Sequence, residues 1–251
     1  MASMAAKVWT QMQRLLLPRQ CVFCRQPAKS KTVCEECRAS LQRPIEHQCQ
    51  KCGAEVGPYS STDGGCIHCR KFSLNFASVT CLGMYHDTMR HAILGAKFGF
   101  SAVGLTALAD LLIEQHRESF EQLEADIILP MPQFLESRLH RAFNAADPIA
   151  ERLGQLMKVP VDRHILRRRG RSKPQKRVRL AERFENQRDT FRLCEPQLVE
   201  GQTVLLVDDV MTTGATCKEA ARLLKSAKAK EIHVAVLARV LSTPPRSESV
   251  T

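Results

Sequence analysis

The sequence predicts an α/β fold, a mostly parallel sheet flanked by helices, preceded by a small cysteine-rich module. Three observations carry this expectation. Every paired cysteine lies before residue 70. From residue 79 onward, short apolar runs of strand length alternate with apolar stripes at helical spacing. Within that pattern Thr203–Val207 is a continuous apolar run, as suits a parallel strand covered on both faces.

The N-terminal segment, Met1–Pro18, holds Trp9, Met12, Leu15, Leu16 and Leu17, interrupted by Gln11, Gln13 and Arg14. It lacks the compact apolar core and small-residue cleavage site of a secretory signal, so it reads as a short amphipathic helix and the chain as cytoplasmic. No apolar run is long enough to span a bilayer. The 251 residues, 44% of them hydrophobic, suffice for one large domain or two smaller ones. Aromatics make up only 5%, so the core must rest on Leu, Val, Ile and Ala.

Four C-x-x-C pairs follow: Cys21/Cys24, Cys34/Cys37, Cys49/Cys52 and Cys66/Cys69. A tight knuckle turn points the two thiolates of a pair at one cation, and two pairs complete a tetrahedron. Two four-cysteine zinc sites of this kind are closed shells with no position for substrate, and they fold a segment too polar to fold by burial. Sequential pairing of the knuckles is the simple arrangement; crossed pairing would use the same eight ligands. His68, and less readily His47, could replace a neighbouring cysteine, although both read first as surface residues. A disulfide framework needs an oxidising compartment, and a redox C-x-x-C normally occurs once beside a βαβ unit. Cys81, Cys194 and Cys217 stand alone and are expected to be buried as small hydrophobes.

After the cysteines, Val79–Tyr85 reads as a strand and His86–Asp87 as a turn. Val103, Leu105, Leu108, Leu111 and Leu112 give a helical stripe. Asp126–Leu129 is a short strand stopped by Pro130-Met131-Pro132. Asp147-Pro148 has the form of a capping aspartate with proline in the first turn, leading Ile149, Arg152, Leu153 and Leu156. Cys217, Ala220, Ala221 and Leu224 mark the next helix, Ile232–Ala238 the next strand, and Ser242–Thr251 a frayed tail. The division expected is residues 1–75 for the N-terminal helix and double zinc ribbon, 76–242 for the α/β domain and 243–251 for the tail.

The net charge is +11, and it is concentrated. Between Arg163 and Arg192 twelve Lys or Arg face three acids, which leaves +9 in thirty residues. Such a block points to a polyanion, either nucleic acid or a phosphorylated small molecule. Arg167, Arg168, Arg169, Arg171, Lys173, Lys176, Arg177 and Arg179 are its candidate contacts to a DNA backbone. With Phe184 and Phe191 as the aromatics of the block, charge should outweigh base stacking.

The most informative stretch is Thr203-Val-Leu-Leu-Val-Asp208-Asp209-Val-Met-Thr212-Thr213-Gly214-Ala215-Thr216. A buried strand ends, two carboxylates follow, and a loop of small residues opens a helix. Ligands of α/β sheets bind at the carboxyl ends of strands. Hydroxyls and successive backbone N–H groups beside a helix N-terminus form an anion cradle, and Gly214 allows close approach. Carboxylates beside a phosphate site suit ribose hydroxyls, with a magnesium ion offsetting the charge. The Walker A pattern is absent.

This stretch resembles the 5-phosphoribosyl-1-pyrophosphate (PRPP) loop of type I phosphoribosyltransferases. The resemblance implies that Asp208 and Asp209 hold the ribose, also as the catalytic pair, and that Thr212, Thr213, Gly214, Ala215 and Thr216 hold the 5-phosphate. Together with the four cysteine pairs, the chain resembles the ComF/ComFC competence family over nearly its whole length. Further shared features are Leu129-Pro-Met-Pro132, Arg138-Leu139, Arg141-Ala142-Phe143-Asn144, and Gln175, Leu180, Arg183, Asn186 and Phe191 in the family's mobile hood. Ala142 stands where the family carries glycine. The family reading sets Arg138 and Arg141 near the pyrophosphate. It implies a type I phosphoribosyltransferase fold behind the zinc ribbons, with Zn2+ at two structural sites and Mg2+ arriving with PRPP. The implied role is import or use of single-stranded DNA, with a DNA-import helicase or inner-membrane channel as protein partner. An active phosphoribosyltransferase with an unknown acceptor and a PRPP-sensing nucleic-acid regulator are the alternatives.

Overall fold

The computed structural model describes residues 20–28, 32–70, 73–99, 102–133, 143–169 and 190–240. The expected N-terminal helix and the C-terminal tail lie outside these residues. Four parallel strands form the central sheet: β1 (Ser78–Met84), β2 (Ile127–Pro130), β5 (Thr203–Met211) and β6 (Glu231–Arg239). Their order is β1-β6-β5-β2. A separate antiparallel pair, β3 (Leu166–Arg168) with β4 (Phe191–Leu193), flanks the basic block.

Side chains alternate across a strand, so β5 feeds two cores. Val204 and Leu206 pack with Cys217, Ala220 and Leu224 of α6 (Ala215–Ser226). Leu205 and Val207 pack with Ile93, Leu108, Leu112, Ile149 and Leu153. These come from α2 (Asp87–Phe98), α3 (Ala102–Gln115) and α5 (Ala146–Met157). A further short helix, α4 (Arg117–Gln122), buries Phe120. Among the described residues, no helix is long and apolar enough to cross a membrane.

The cysteine knuckles dock on opposite faces of this sheet. Helix α1 (Glu35–Leu41), opened by Cys34, buries Leu41 in the α2–α3 core, and Cys21 packs with Ala107 of α3. Cys49, Cys52, Cys66 and Cys69 join the other core, beside Val79, Cys81 and Val236. Two backbone features fix this second knuckle: the Val79 N–H donates to the Gln50 carbonyl at 2.9 Å, and Gly53 closes its turn with φ +69°.

Three local expectations are corrected. Strand β5 does not stop at Val207 but continues to Met211, because Asp208, Val210 and Met211 still pair with Val236, Ala238 and Arg239 of β6. Helix α5 begins at Ala146 behind the N-cap Ala145, so Asp147 sits in its first turn, and the side chain that reaches the first helical amide is that of Asn144. The Asn144 Oδ1 accepts from the Ala146 N–H, while its Nδ2 donates to the Met131 carbonyl and to Asp147. Cys81 and Cys217 are buried as expected, but Cys194, at the end of the short β3–β4 pair, is half-buried.

Candidate functional site

Two sites emerge, one of sulfur and one at the carboxyl edge of the sheet. The sulfurs gather in two groups, Cys21/Cys24/Cys34/Cys37 and Cys49/Cys52/Cys66/Cys69, each with all Sγ atoms within 4.8 Å of one another. The knuckles therefore pair sequentially, and neither His47 nor His68 belongs to a group. A tetrahedral zinc with Zn–S bonds of about 2.3 Å sets sulfurs about 3.8 Å apart. The separations here are 3.6 Å for Cys24–Cys34, 3.5 Å for Cys52–Cys66 and 3.9 Å for both Cys49–Cys69 and Cys66–Cys69. The donor set fits the ion. So does its electrostatics: burial and the charges of Cys49 and Cys66 push the Cys69 thiol up to about 11. Burial also opposes ionisation of Cys21, yet the N–H groups of Cys24, Cys34 and Phe23 outweigh it and bring that thiol to about 6. Four thiolates so close need a cation between them.

At the carboxyl edge of the sheet, β5 presents Asp208 and Asp209. Successive strand residues face opposite ways, and the two acids meet different partners. Asp209 is paired with Lys97, from the last turn of α2, at 2.5 Å, and both side chains are largely buried. Asp208 shares its face with Arg168 of β3. Burial first, and the Asp209 charge second, raise its carboxyl to about 7, against the pull of the Asp209 N–H, Lys97 and Arg168. Burial lowers Arg168 to about 10, partly offset by Asp208. Its guanidinium lies 5.1 Å from the centre of the Phe191 ring and donates to the Pro132 carbonyl at 3.4 Å.

Thr212–Thr216 then turns from β5 into α6. Gly214 is the N-cap at φ +77° and provides no side-chain cap. A Cβ there would come within 2.6 Å of the Met211 Cε. A glycine cap puts no side chain over the start of α6, the open arrangement that receives an anion. The Thr213 hydroxyl accepts from the Ala215 N–H at 3.3 Å and shapes the turn. Beneath the loop lies Arg239, the last residue of β6 and buried. The Gln133 amide, just beyond β2, is buried with no hydrogen-bond partner among the described residues.

The structure thus brings Asp208, Asp209 and Thr212–Thr216 together. Arg138, Arg141, Arg171, Lys173, Lys176, Arg177 and Arg179 lie outside the described residues, as do Ala142 and the hood residues other than Phe191. Of the expected DNA contacts, Arg169 is exposed and Arg167 half-buried beside His164, whereas Arg168 turns into the crevice. Phe191 is fully buried, so it packs the core instead of offering a stacking face. Sequence reading missed Lys97 and Arg239. Nothing local marks Lys97, which only the helix crossing brings to the edge. Arg239 did leave a signal: an arginine closing a buried apolar strand at the end where ligands bind.

The phosphoribosyl transferase domain family matches residues 139–250, and the double zinc ribbon domain family matches residues 12–71. Three curated proteins align over most of the chain. Competence protein F of Haemophilus influenzae is 26% identical over 88% of this chain and 96% of its own length. DNA utilization protein YhgH of Salmonella typhi is 27% identical, covering 90% and 100%. Competence protein ComFC of Bacillus subtilis is 28% identical, covering 82% and 84%. With the parallel sheet between helices, these matches identify the fold as that of a type I phosphoribosyltransferase behind a double zinc ribbon.

Proposed function

Because the chain belongs to the competence-protein family that joins a double zinc ribbon to a phosphoribosyl transferase domain, we propose that it is a cytoplasmic DNA-uptake factor controlled by PRPP. The observation that carries the ligand is the crevice itself: two acids on β5, an uncapped helix start and a positive-φ glycine at one carboxyl edge. Asp208 and Asp209 accept hydrogen bonds from the ribose hydroxyls, and the Thr212–Thr216 N–H and hydroxyl groups hold the 5-phosphate. Mg2+ carried on the pyrophosphate offsets the charge that two acids bring to such a site. Lys97, paired with Asp209, holds that carboxylate in place until the sugar arrives. The names of the relatives support the DNA role, and the charge block supports contact with a single strand through Arg167, Arg169 and the basic run that follows.

Asp208→Asn combined with Asp209→Asn is expected to weaken PRPP binding by about a hundredfold in titration calorimetry, as two buried charge-assisted hydrogen bonds disappear. Zinc content should stay unchanged. Equal affinity in the two proteins would remove the ligand assignment. For the nucleic acid, Arg167→Glu with Arg169→Glu should flatten the plot of log affinity against log salt by about 0.7 for each phosphate no longer neutralised. An unmoved slope would take these arginines out of the interface. Transfer of ribose phosphate to an acceptor is the second reading. Its support is Asp208, whose carboxyl titrates near neutrality, where a proton-exchanging group works best. Pyrophosphate release with a panel of bases separates the two.

A further inference from the structure

Arg239 is the most deeply buried cation among the described residues, and its contacts join the two sites. Its Nε donates to the Cys52 carbonyl at 2.9 Å, inside the second cysteine knuckle. Its Nη1 donates to the Met211 carbonyl at 3.2 Å, to the Val240 carbonyl at 2.5 Å and to the Thr212 carbonyl. One guanidinium therefore spans from a metal-ligand residue to the first residue of the phosphate loop. No carboxylate lies within salt-bridge distance of it among the described residues, so its charge stays beneath the loop. Its planar fork matters here, because an ammonium could not reach both sets of carbonyls.

The knuckle end of this link is rigid only when its four sulfurs are held. Cys52 stands 3.5 Å from Cys66, and its turn is bound to β1 through Gln50 and Val79. Without a cation, mutual repulsion and burial would let the turn open and carry the Cys52 carbonyl away from Arg239. The first four-cysteine group, on the far face of the sheet, has no such link to the loop in any described contact.

We propose that Arg239 is a positioning residue through which metal occupancy of the second four-cysteine site holds the phosphate loop in its anion-binding shape. The proposal rests on the crevice being the sugar-phosphate site, and it predicts that the two zinc sites are not equivalent.

The experiment measures PRPP affinity, zinc content and amide hydrogen exchange in the full chain. Exchange at Val204–Val207 of β5 serves as the reference for global opening. Arg239→Lys keeps the charge and loses the fork. It should lower PRPP affinity by about tenfold and speed exchange over Thr213–Cys217 while both zinc ions remain. Cys66→Ser, which breaks the second site, should speed exchange over the same amides. Cys24→Ser, which breaks the first, should not. The proposal is overturned if Arg239→Lys leaves loop exchange unchanged, or if both cysteine variants loosen the loop equally. It is overturned as well if the reference strand opens in step with the loop. Should the wild-type chain fail to bind PRPP, the proposed ligand falls, while the exchange comparison still decides the link.

Discussion

At the scale of single residues, Asp208 carries a cost in the folded chain. Its carboxyl is raised from the ordinary 3.8 to about 7, chiefly by burial and then by the Asp209 charge. Below the ordinary carboxylate range both folded and unfolded chains are protonated there, and no cost arises. As pH rises from about 4 to about 7, the unfolded chain has released the proton and the folded chain still holds it. Stability from this group therefore falls across that window and levels off above it. Asp208→Asn removes the titration. The variant is expected to match wild type near pH 4 and to exceed it by about 2 kcal/mol at pH 8, allowing for partial solvent screening. Urea unfolding at a series of pH values measures the gap, and a gap that does not widen with pH would show the acid to be well solvated.

At the scale of elements, most of the fold was legible, and the reasons are physical. Apolar runs such as Val204–Val207 and Ile232–Ala238, the latter broken only by His233, are what a two-sided parallel strand needs, and the structure forms β5 and β6 there. Boundaries were less legible, because backbone pairing with a neighbour decides them. The two acids after Val207 read as the end of the strand, yet β6 still offers paired partners as far as Met211. Asn144 shows the same effect at a helix start: Asp147 fits a capping pattern, but Asn144 also reaches the Met131 carbonyl at 3.0 Å and ties the end of β2 to α5. Asn144→Ala should thus cost about 1 kcal/mol, as loss of a cap does. The check is a shift of the urea midpoint at constant slope; no shift would mean that the Ala146 amide finds another acceptor. The site was legible where it is contiguous, in Asp208–Thr216, and illegible where distant segments complete it, in Lys97 and Arg168.

At the scale of the whole molecule, the cysteine spacing identified the ligands and left their placement open. Nothing in eight cysteines says that one four-sulfur group rests on the helices of one face while the other is built into the opposite core. That placement makes the two sites different chemically. In the first, Cys24 is exposed and Cys34 and Cys37 are partly so; in the second, all four sulfurs belong to buried residues. A chelator must reach the ion or wait for the fold to open, and local opening costs less where burial is shallow. Zinc release into a strong chelator should therefore be biphasic. The fast phase would come from the first site with little change in near-ultraviolet circular dichroism. The slow phase would come from the second, accompanied by loss of tertiary signal, since its cysteines share a core with Val79, Val204 and Val236. Cys24→Ser should delete the fast phase alone. A single phase, or a fast phase that takes the tertiary signal with it, would mean that the two metal sites open as one unit and that the sheet does not insulate them.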